Sequence, residues 1–368
     1  MIRDLNRKFQ DFFRPKRLAF GKFIWDKKDN KIKCTLENII KNQEIKSILF
    51  LRYDGKIGDS VINSMMFREI KKQFPNIKIG VVTREGAKSV LESNKYIDNI
   101  FIYEKNTKKI KKLAEEIRNK KYDLLIDFSE MLRVQQMMFI NLCKAKINMG
   151  LNKDDWNLFD ISYNYPSNMK HISDLYVYIL KILGVKNINS NYDLQINKEV
   201  EEKSKDFISK LSNEKYIVLN PFAASKHRSL NVEKIDEIIK IILADDDYSI
   251  ILLAPGKEQR DNMEKFQEKY KDKVYIPETK NIQEVIELVK HSILVISPDT
   301  SIIHIASAFQ KPLIGFYRKD LGKDNNSTIW GPNNKNSMIV WAVGDEKEKE
   351  IDINNFKLED FINAYKNF

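Results

Sequence analysis

Cysteine is scarce: the 368 residues hold two, Cys34 and Cys143, far apart and in no Cys-x-x-Cys spacing. That argues against a disulfide framework and a thiolate zinc site, and it fits a reducing compartment. The four histidines show no metal-ligand spacing, so a histidine metal centre is not expected. No apolar run reaches the roughly 18 residues a membrane-spanning helix needs. The N-terminus has basic residues but no apolar signal-peptide core, so a cytoplasmic protein is expected. The pattern Gly-x-Gly-x-x-Gly is missing, because the one glycine-bearing turn after a strand reads Gly55-x-x-Gly58. A dinucleotide cofactor therefore has little support. No Asp-x-Asp lies between strand signals either, and Asp245-Asp246-Asp247 reads as a turn between a helix and a strand. Neither a metal nor a resident cofactor is expected.

What is present suggests two domains: the length exceeds one ordinary core, and 42% hydrophobic residues suffice for packing. The net charge is +11 and unevenly spread. Residues 1–33 carry eleven Lys/Arg against four acids, a balance of +7, interleaved with Phe9, Phe12, Phe13, Phe20, Phe23 and Trp25. Such a segment suits an anionic membrane surface. It also suits a solvated extension partly docked on the protein. Nucleic acid is disfavoured, since the rest of the chain has no basic stripe and no nucleic-acid motif.

From residue 46 strand-length apolar runs alternate with helical-period stretches. Strands are read at 46–53, 77–83, 99–103, 122–128 and 147–151, with helices near 59–74, 85–94, 107–119 and 130–143. The stretch 152–170 breaks the rhythm. A helix follows near 171–183, and the polar stretch 187–206 reads as a linker. The pattern then restarts, with strands at 216–220, 248–254, 274–276, 293–297, 312–317 and 337–342. Helices are read near 232–244, 257–269, 281–291, 300–309 and 355–366. This order predicts an α/β fold of two Rossmann-like domains with parallel sheets facing a central cleft. The expected division is a basic aromatic extension (1–45), an N-terminal Rossmann-like domain (46–190) and a C-terminal Rossmann-like domain (191–350). A last helix (351–368) is expected to pack back toward the N-terminal domain.

Three stretches carry chemistry. Arg52-Tyr53-Asp54-Gly55-Lys56-Ile57-Gly58-Asp59-Ser60 follows the first strand and opens a helix, with Asp59 at or near its N-cap. Capping alone accounts for an aspartate there, and so does a carboxylate held at a cleft. Asn220-Pro221-Phe222-Ala223-Ala224-Ser225-Lys226-His227-Arg228-Ser229-Leu230-Asn231 follows the first strand of the second half. Its small residues permit backbone approach, and its cations suit phosphate or simply an exposed basic loop. Ser297-Pro298-Asp299-Thr300-Ser301-Ile302-Ile303-His304-Ile305-Ala306-Ser307-Ala308 joins a strand end to a helix start. The amides of Thr300, Ser301 and Ile302 with the helix dipole suit an anion such as a diphosphate. His304 lies one turn on, and a helical histidine there serves structure as readily as catalysis.

In this order and separation the three stretches resemble glycosyltransferase family 9, the heptosyltransferase-like enzymes. Ile57-Gly58-Asp59 is similar to that family's Leu-Gly-Asp turn, and Asn220 through Asn231 to its Asn-Pro-Gly-Ala loop. Asp299 through Ser307 is similar to its Asp-Thr-Gly-x-x-His signature, and Trp330-Gly331-Pro332 to a later tripeptide. Ser301, Phe222 and Leu230 depart from the family's Gly, Gly and Trp, and the last two are expected to border the donor pocket. The resemblance covers about residues 46–345.

The resemblance implies a GT-B fold and an inverting, metal-independent transfer of a sugar, heptose from ADP-heptose in the first instance. The acceptor is a lipopolysaccharide or lipooligosaccharide core or a related glycolipid, which implies work at the inner face of the cytoplasmic membrane. Asp59 is the implied general base, with Gly58 and Lys56 supporting its turn. Arg228, or Lys226 in its place, meets the departing diphosphate. Asp299 contacts the donor sugar, Thr300, Ser301 and His304 bind the phosphates, and Glu258 is a candidate for the ribose. Other readings are a transferase for a different nucleotide sugar, a sugar-nucleotide epimerase on the same fold, and a non-catalytic binding protein.

Overall fold

The computed structural model describes residues 2–33, 35–245, 248–320, 326–344 and 351–368. Cys34, Asp246 and Asp247 lie outside them. In chain order the elements are α1 (Ile2–Trp25), α2 (Ile39–Asn42), β1 (Ser47–Leu51), α3 (Ile57–Gln73), β2 (Lys78–Thr83), α4 (Glu85–Leu91) and β3 (Asn99–Ile102). Next come α5 (Thr107–Lys120), β4 (Leu124–Asp127), α6 (Val134–Cys143), β5 (Ile147–Leu151), β6 (Ile161–Tyr163) and α7 (Ile172–Leu183). The rest are α8 (Lys198–Ile208), β7 (Tyr216–Leu219), α9 (Val232–Asp245), β8 (Ser249–Leu252), α10 (Lys257–Tyr270), β9 (Val274–Tyr275) and α11 (Ile282–His291). They end with β10 (Leu294–Pro298), α12 (Ser301–Ala308), β11 (Leu313–Arg318), α13 (Asn326–Ile329), β12 (Ser337–Ala342) and α14 (Leu358–Tyr365).

The chain divides into two compact units. The first holds residues 1–56, 66–169 and 174–189; the second holds 57–65, 170–173 and 190–368. The first sheet runs β3-β2-β1-β4-β5-β6 and the second β12-β11-β10-β7-β8-β9, every neighbouring pair parallel. Each order reverses once, between β1 and β4 and between β7 and β10, and ligands of such sheets bind beyond the strand ends at that reversal. The strands are short, apolar and mostly buried, as parallel strands covered on both faces must be.

Local chemistry sets the helix limits. Asn106 caps α5 by accepting the Lys108 and Lys109 amides, and Ile110, Ala114 and Ile117 bury one face. Asn281 caps α11 in the same way.

Several expectations need correction. The polar stretch 187–206 is not all linker: Asn197 caps α8, whose partly buried stripe is only Val200, Ser204, Phe207 and Ile208 among seven charged residues, a weak apolar signal. β6 lies inside the stretch that breaks the rhythm and is three residues long, too short for a periodic signal. The last helix, α14, is built into the second unit's own core. Phe361, Ala364 and Tyr365 join that core, with the Phe361 ring 5.9 Å from Phe316. The N-terminal segment is a helix, α1, whose Leu18 and Trp25 pack on the first unit's core.

Candidate functional site

Three of the sequence motifs come together in the second unit. Asn220, just past β7, donates from Nδ2 to Ser297 Oγ (2.9 Å), Thr300 Oγ1 (3.2 Å) and the Phe222 carbonyl (3.1 Å). One amide thus ties the loop after β7 to the loop after β10, at the sheet's reversal. Thr300 is the N-cap of α12, and its Oγ1 accepts the Ile302 amide at 3.3 Å. The Ile303 amide goes to the Thr300 carbonyl. The Ile302 amide expected to face an anion is therefore already used by the cap. Asp299 and Ser301 flank the cap and are half-buried.

The start of α3 meets the start of α12. A Cβ placed on Gly58 would lie 2.8 Å from His304 Cδ2 and 3.7 Å from Ser301 Cα. No other residue fits there without displacing the imidazole. Gly55, in the same turn, has φ +68°, and a Cβ there would strike Arg84. Asp59 is the third residue of α3; the N-cap is Lys56, which makes no side-chain cap. The capping account of Asp59 thus fails in its simple form, although an acid in the first turn still suits the helix dipole. Asp59 is 8% exposed and its carboxylate acts on His304.

His304 is 5% exposed, and its Nδ1 has no hydrogen-bond partner. Burial pushes its pKa down to about 4, helped by His171 and opposed by Asp59. At neutral pH it is an uncharged donor or acceptor, not a cation. His171 escaped the sequence reading. Its Nδ1 accepts the Ser173 amide (3.1 Å), so Nε2 donates to the Gly331 carbonyl (3.0 Å) and anchors Trp330-Gly331-Pro332. No local pattern marks a contact between residues so far apart in sequence.

Lys226, His227 and Arg228 form a single 3-10 turn. Lys226 is exposed and Arg228 half-buried. The turn is held from behind: Ser229 Oγ accepts the Ala223 amide and donates to the Ser225 carbonyl. The Ile353 amide reaches His227 O (2.8 Å) and Asn354 Nδ2 reaches Ser229 O (3.0 Å). Leu230 is buried in the second unit's core with Ile235 and Ile239, and the half-buried Phe222 packs against the same core. Glu258 and Lys56 are exposed, at the start of α10 and before α3. Among the described residues no hydrogen bond or ion pair joins Lys226, Arg228 or Glu258 to Asp59, Thr300, Ser301 or His304.

The first unit's sheet reversal is filled differently. Tyr53 donates to Asp127 Oδ1, and Tyr163 donates to the Asp127 carbonyl (2.9 Å). Lys153, 1% exposed, donates to the carbonyls of Ser129 (2.5 Å), Glu130 (2.8 Å) and Leu151 (2.5 Å). Burial raises the Asp127 pKa to about 6, against the Tyr53 hydrogen bond and the Lys153 charge.

Solved structures share this two-sheet arrangement. A family 9 glycosyl transferase from Veillonella parvula DSM 2008 superposes with TM-score 0.75 at 17% identity, covering 92% of this chain and 98% of that one. The E. coli ADP-heptose lps heptosyltransferase II gives 0.69 at 14%, covering 87% and 98%. The class is therefore GT-B, two Rossmann-like domains. The sequence profile of Glycosyltransferase family 9 (heptosyltransferase) matches residues 110–358. The chain belongs to this family and is a glycosyltransferase. Among curated relatives, "Putative lipopolysaccharide heptosyltransferase 4" of Escherichia coli (strain K12) is 28% identical over 349 residues, covering 89% of this chain and 91% of the relative. Lipopolysaccharide core heptosyltransferase OpsX of Haemophilus influenzae is 22% identical, covering 83% and 87%.

Proposed function

We propose that the chain moves a heptose from a nucleoside-diphosphate donor, ADP-heptose in the first instance, to a lipopolysaccharide-core glycolipid. In this reading the transfer inverts the anomeric carbon and needs no divalent metal. Residues 46–190 serve the acceptor and 191–350 the donor, and the work is done at the inner face of the cytoplasmic membrane. The observation that carries the proposal is the meeting of Gly58 and Asp59 with Ser301 and His304 in one compact unit.

Asp59 takes the acceptor hydroxyl proton as that oxygen attacks the anomeric carbon. The bond from that carbon to the diphosphate oxygen breaks, and the nucleoside diphosphate leaves with the electron pair. A single displacement inverts the centre. General-base help of this kind contributes about 10²–10⁴-fold. Arg228, with Lys226 as the second cation, and the α12 start receive the growing phosphate charge. His304 adds a hydrogen bond without charge: its buried Nδ1 has no protein partner, a cost of about 1–3 kcal/mol that a donor oxygen or hydroxyl relieves. Asp299 holds the sugar and Glu258 the ribose, with Gly58 and Lys56 supporting the turn of the base.

The test is release of nucleoside diphosphate that depends on added glycolipid acceptor. Asp59→Ala should lower turnover by about 10³-fold with donor affinity within about twofold of the parent. Turnover near the parental rate would end the base assignment.

A further inference from the structure

Residues 2–25 play no part in that chemistry, yet they form the longest helix among the described residues, α1. One side of α1 is fixed to the protein. Leu18 and Trp25 pack on the first unit's core, and Gly21 lies against Val134 of α6. Asn141 Nδ2 holds the carbonyls of Trp25 (3.1 Å) and Lys27 (2.7 Å). The Asp26 carboxylate accepts the Leu158 amide (2.7 Å), and Lys22 donates to the Asp155 carbonyl (3.0 Å) and lies over the Trp156 ring. The other side of the helix is therefore held in a defined direction.

That other side is apolar and cationic at once. Phe13, Phe20, Phe23 and Ile24 are 37%, 66%, 72% and 38% exposed. At 3.6 residues per turn, 13, 20 and 24 fall along one line and 23 beside it, opposite Leu18 and Trp25. Lys16, Arg17 and Lys27 are exposed around them. Between residues 13 and 28 the only acid is Asp26, which is buried. Beside this face an open groove of about 720 Å³ is lined by Lys22, Phe23, Lys27, Lys28 and Lys31 together with Asp26 and Asp29. Both acids are engaged, Asp26 as above and Asp29 with Lys144 (3.2 Å).

We propose that this outer face of α1 is an interfacial helix that seats the enzyme on an anionic phospholipid bilayer. Its phenylalanines enter the headgroup–acyl boundary and its cations meet lipid phosphates. The charge decides the occupant. A second copy docking face to face would set cations against cations, because a two-fold interface pairs a patch with itself. A bilayer offers a continuous negative surface and an apolar layer beneath it, which match both halves of the pattern. The proposal takes its purpose from the glycolipid-acceptor reading. It is measured without any glycolipid, so either can fail alone.

The experiment is flotation of the full chain with phosphatidylglycerol–phosphatidylethanolamine vesicles, against all-phosphatidylcholine vesicles. Two variants are compared, Phe20→Ser with Phe23→Ser, and Lys16→Glu with Arg17→Glu; both are checked by thermal melting to be folded. The parent should float with the anionic vesicles and not the zwitterionic ones. Each variant should lose at least about tenfold in partitioning while keeping its donor-binding affinity. Equal binding to both vesicle types, retention by either variant, or absence of parental binding overturns the proposal. So does a concentration-dependent dimer that both variants abolish.

Discussion

The two sheets share one strand order and treat the same place in it oppositely. Where β1 and β4 part, the first unit packs Tyr53, Tyr163, Asp127 and Lys153 into a closed polar cluster. Where β7 and β10 part, the second unit uses short side chains, Asn220, Ser297 and Thr300, and leads into the start of α12. A parallel sheet's reversal can thus be filled by long polar side chains or lined by short ones. The choice lies in side-chain length, not in backbone topology.

Breaking the closed polar cluster should have the largest effect on stability. Lys153→Met leaves three carbonyls and the Asp127 carboxylate without their cation, a loss of about 3–5 kcal/mol in urea denaturation. Asp127→Asn, which keeps the shape, should cost less.

Acid sharpens the contrast, because the two clusters titrate in opposite senses. His304 has its folded pKa lowered to about 4, so its contribution is complete above its unfolded value of 6.5 and is lost as pH falls toward 4. The size is about 3 kcal/mol. Asp127 has its folded pKa raised to about 6, so its contribution is complete below 3.8 and is lost as pH rises through 6. Melting curves from pH 4 to 7 should show His304→Asn gaining stability relative to the parent as pH falls, and Asp127→Asn losing it. Parallel curves would show that neither group is buried as described.

Smaller changes probe the second unit alone. Gly58→Ala drives a methyl group against the His304 ring, costing about 1–3 kcal/mol in the same denaturation assay. Arg228→Ala should raise the donor KM about tenfold, and Lys226→Ala less, since the half-buried Arg228 is the more preorganised. The reverse ranking would shift the phosphate contact by two residues.

The two-sheet architecture was legible because buried parallel strands are apolar throughout and recur at even spacing. The ordered motifs were legible because each sits where a strand hands over to a helix. What escaped reading has physical reasons. The stripe of α8 has only three apolar residues, Val200, Phe207 and Ile208, diluted by seven charged ones, and β6 is too brief for a pattern. His171 with Gly331 and Lys153 with Ser129 join residues 160 and 24 apart, and nothing in a local window marks either end. The Ile302 amide was misjudged because a threonine at the N-cap consumes the donor that a bare helix start would offer.

One feature of the 226–229 turn bears on how the protein comes into being. Ile353 and Asn354 hold that turn from behind, though more than a hundred residues separate them from it. Translation therefore delivers the latch long after the loop it secures. A nascent chain will carry an unfastened cation turn until residues 351–356 leave the ribosome.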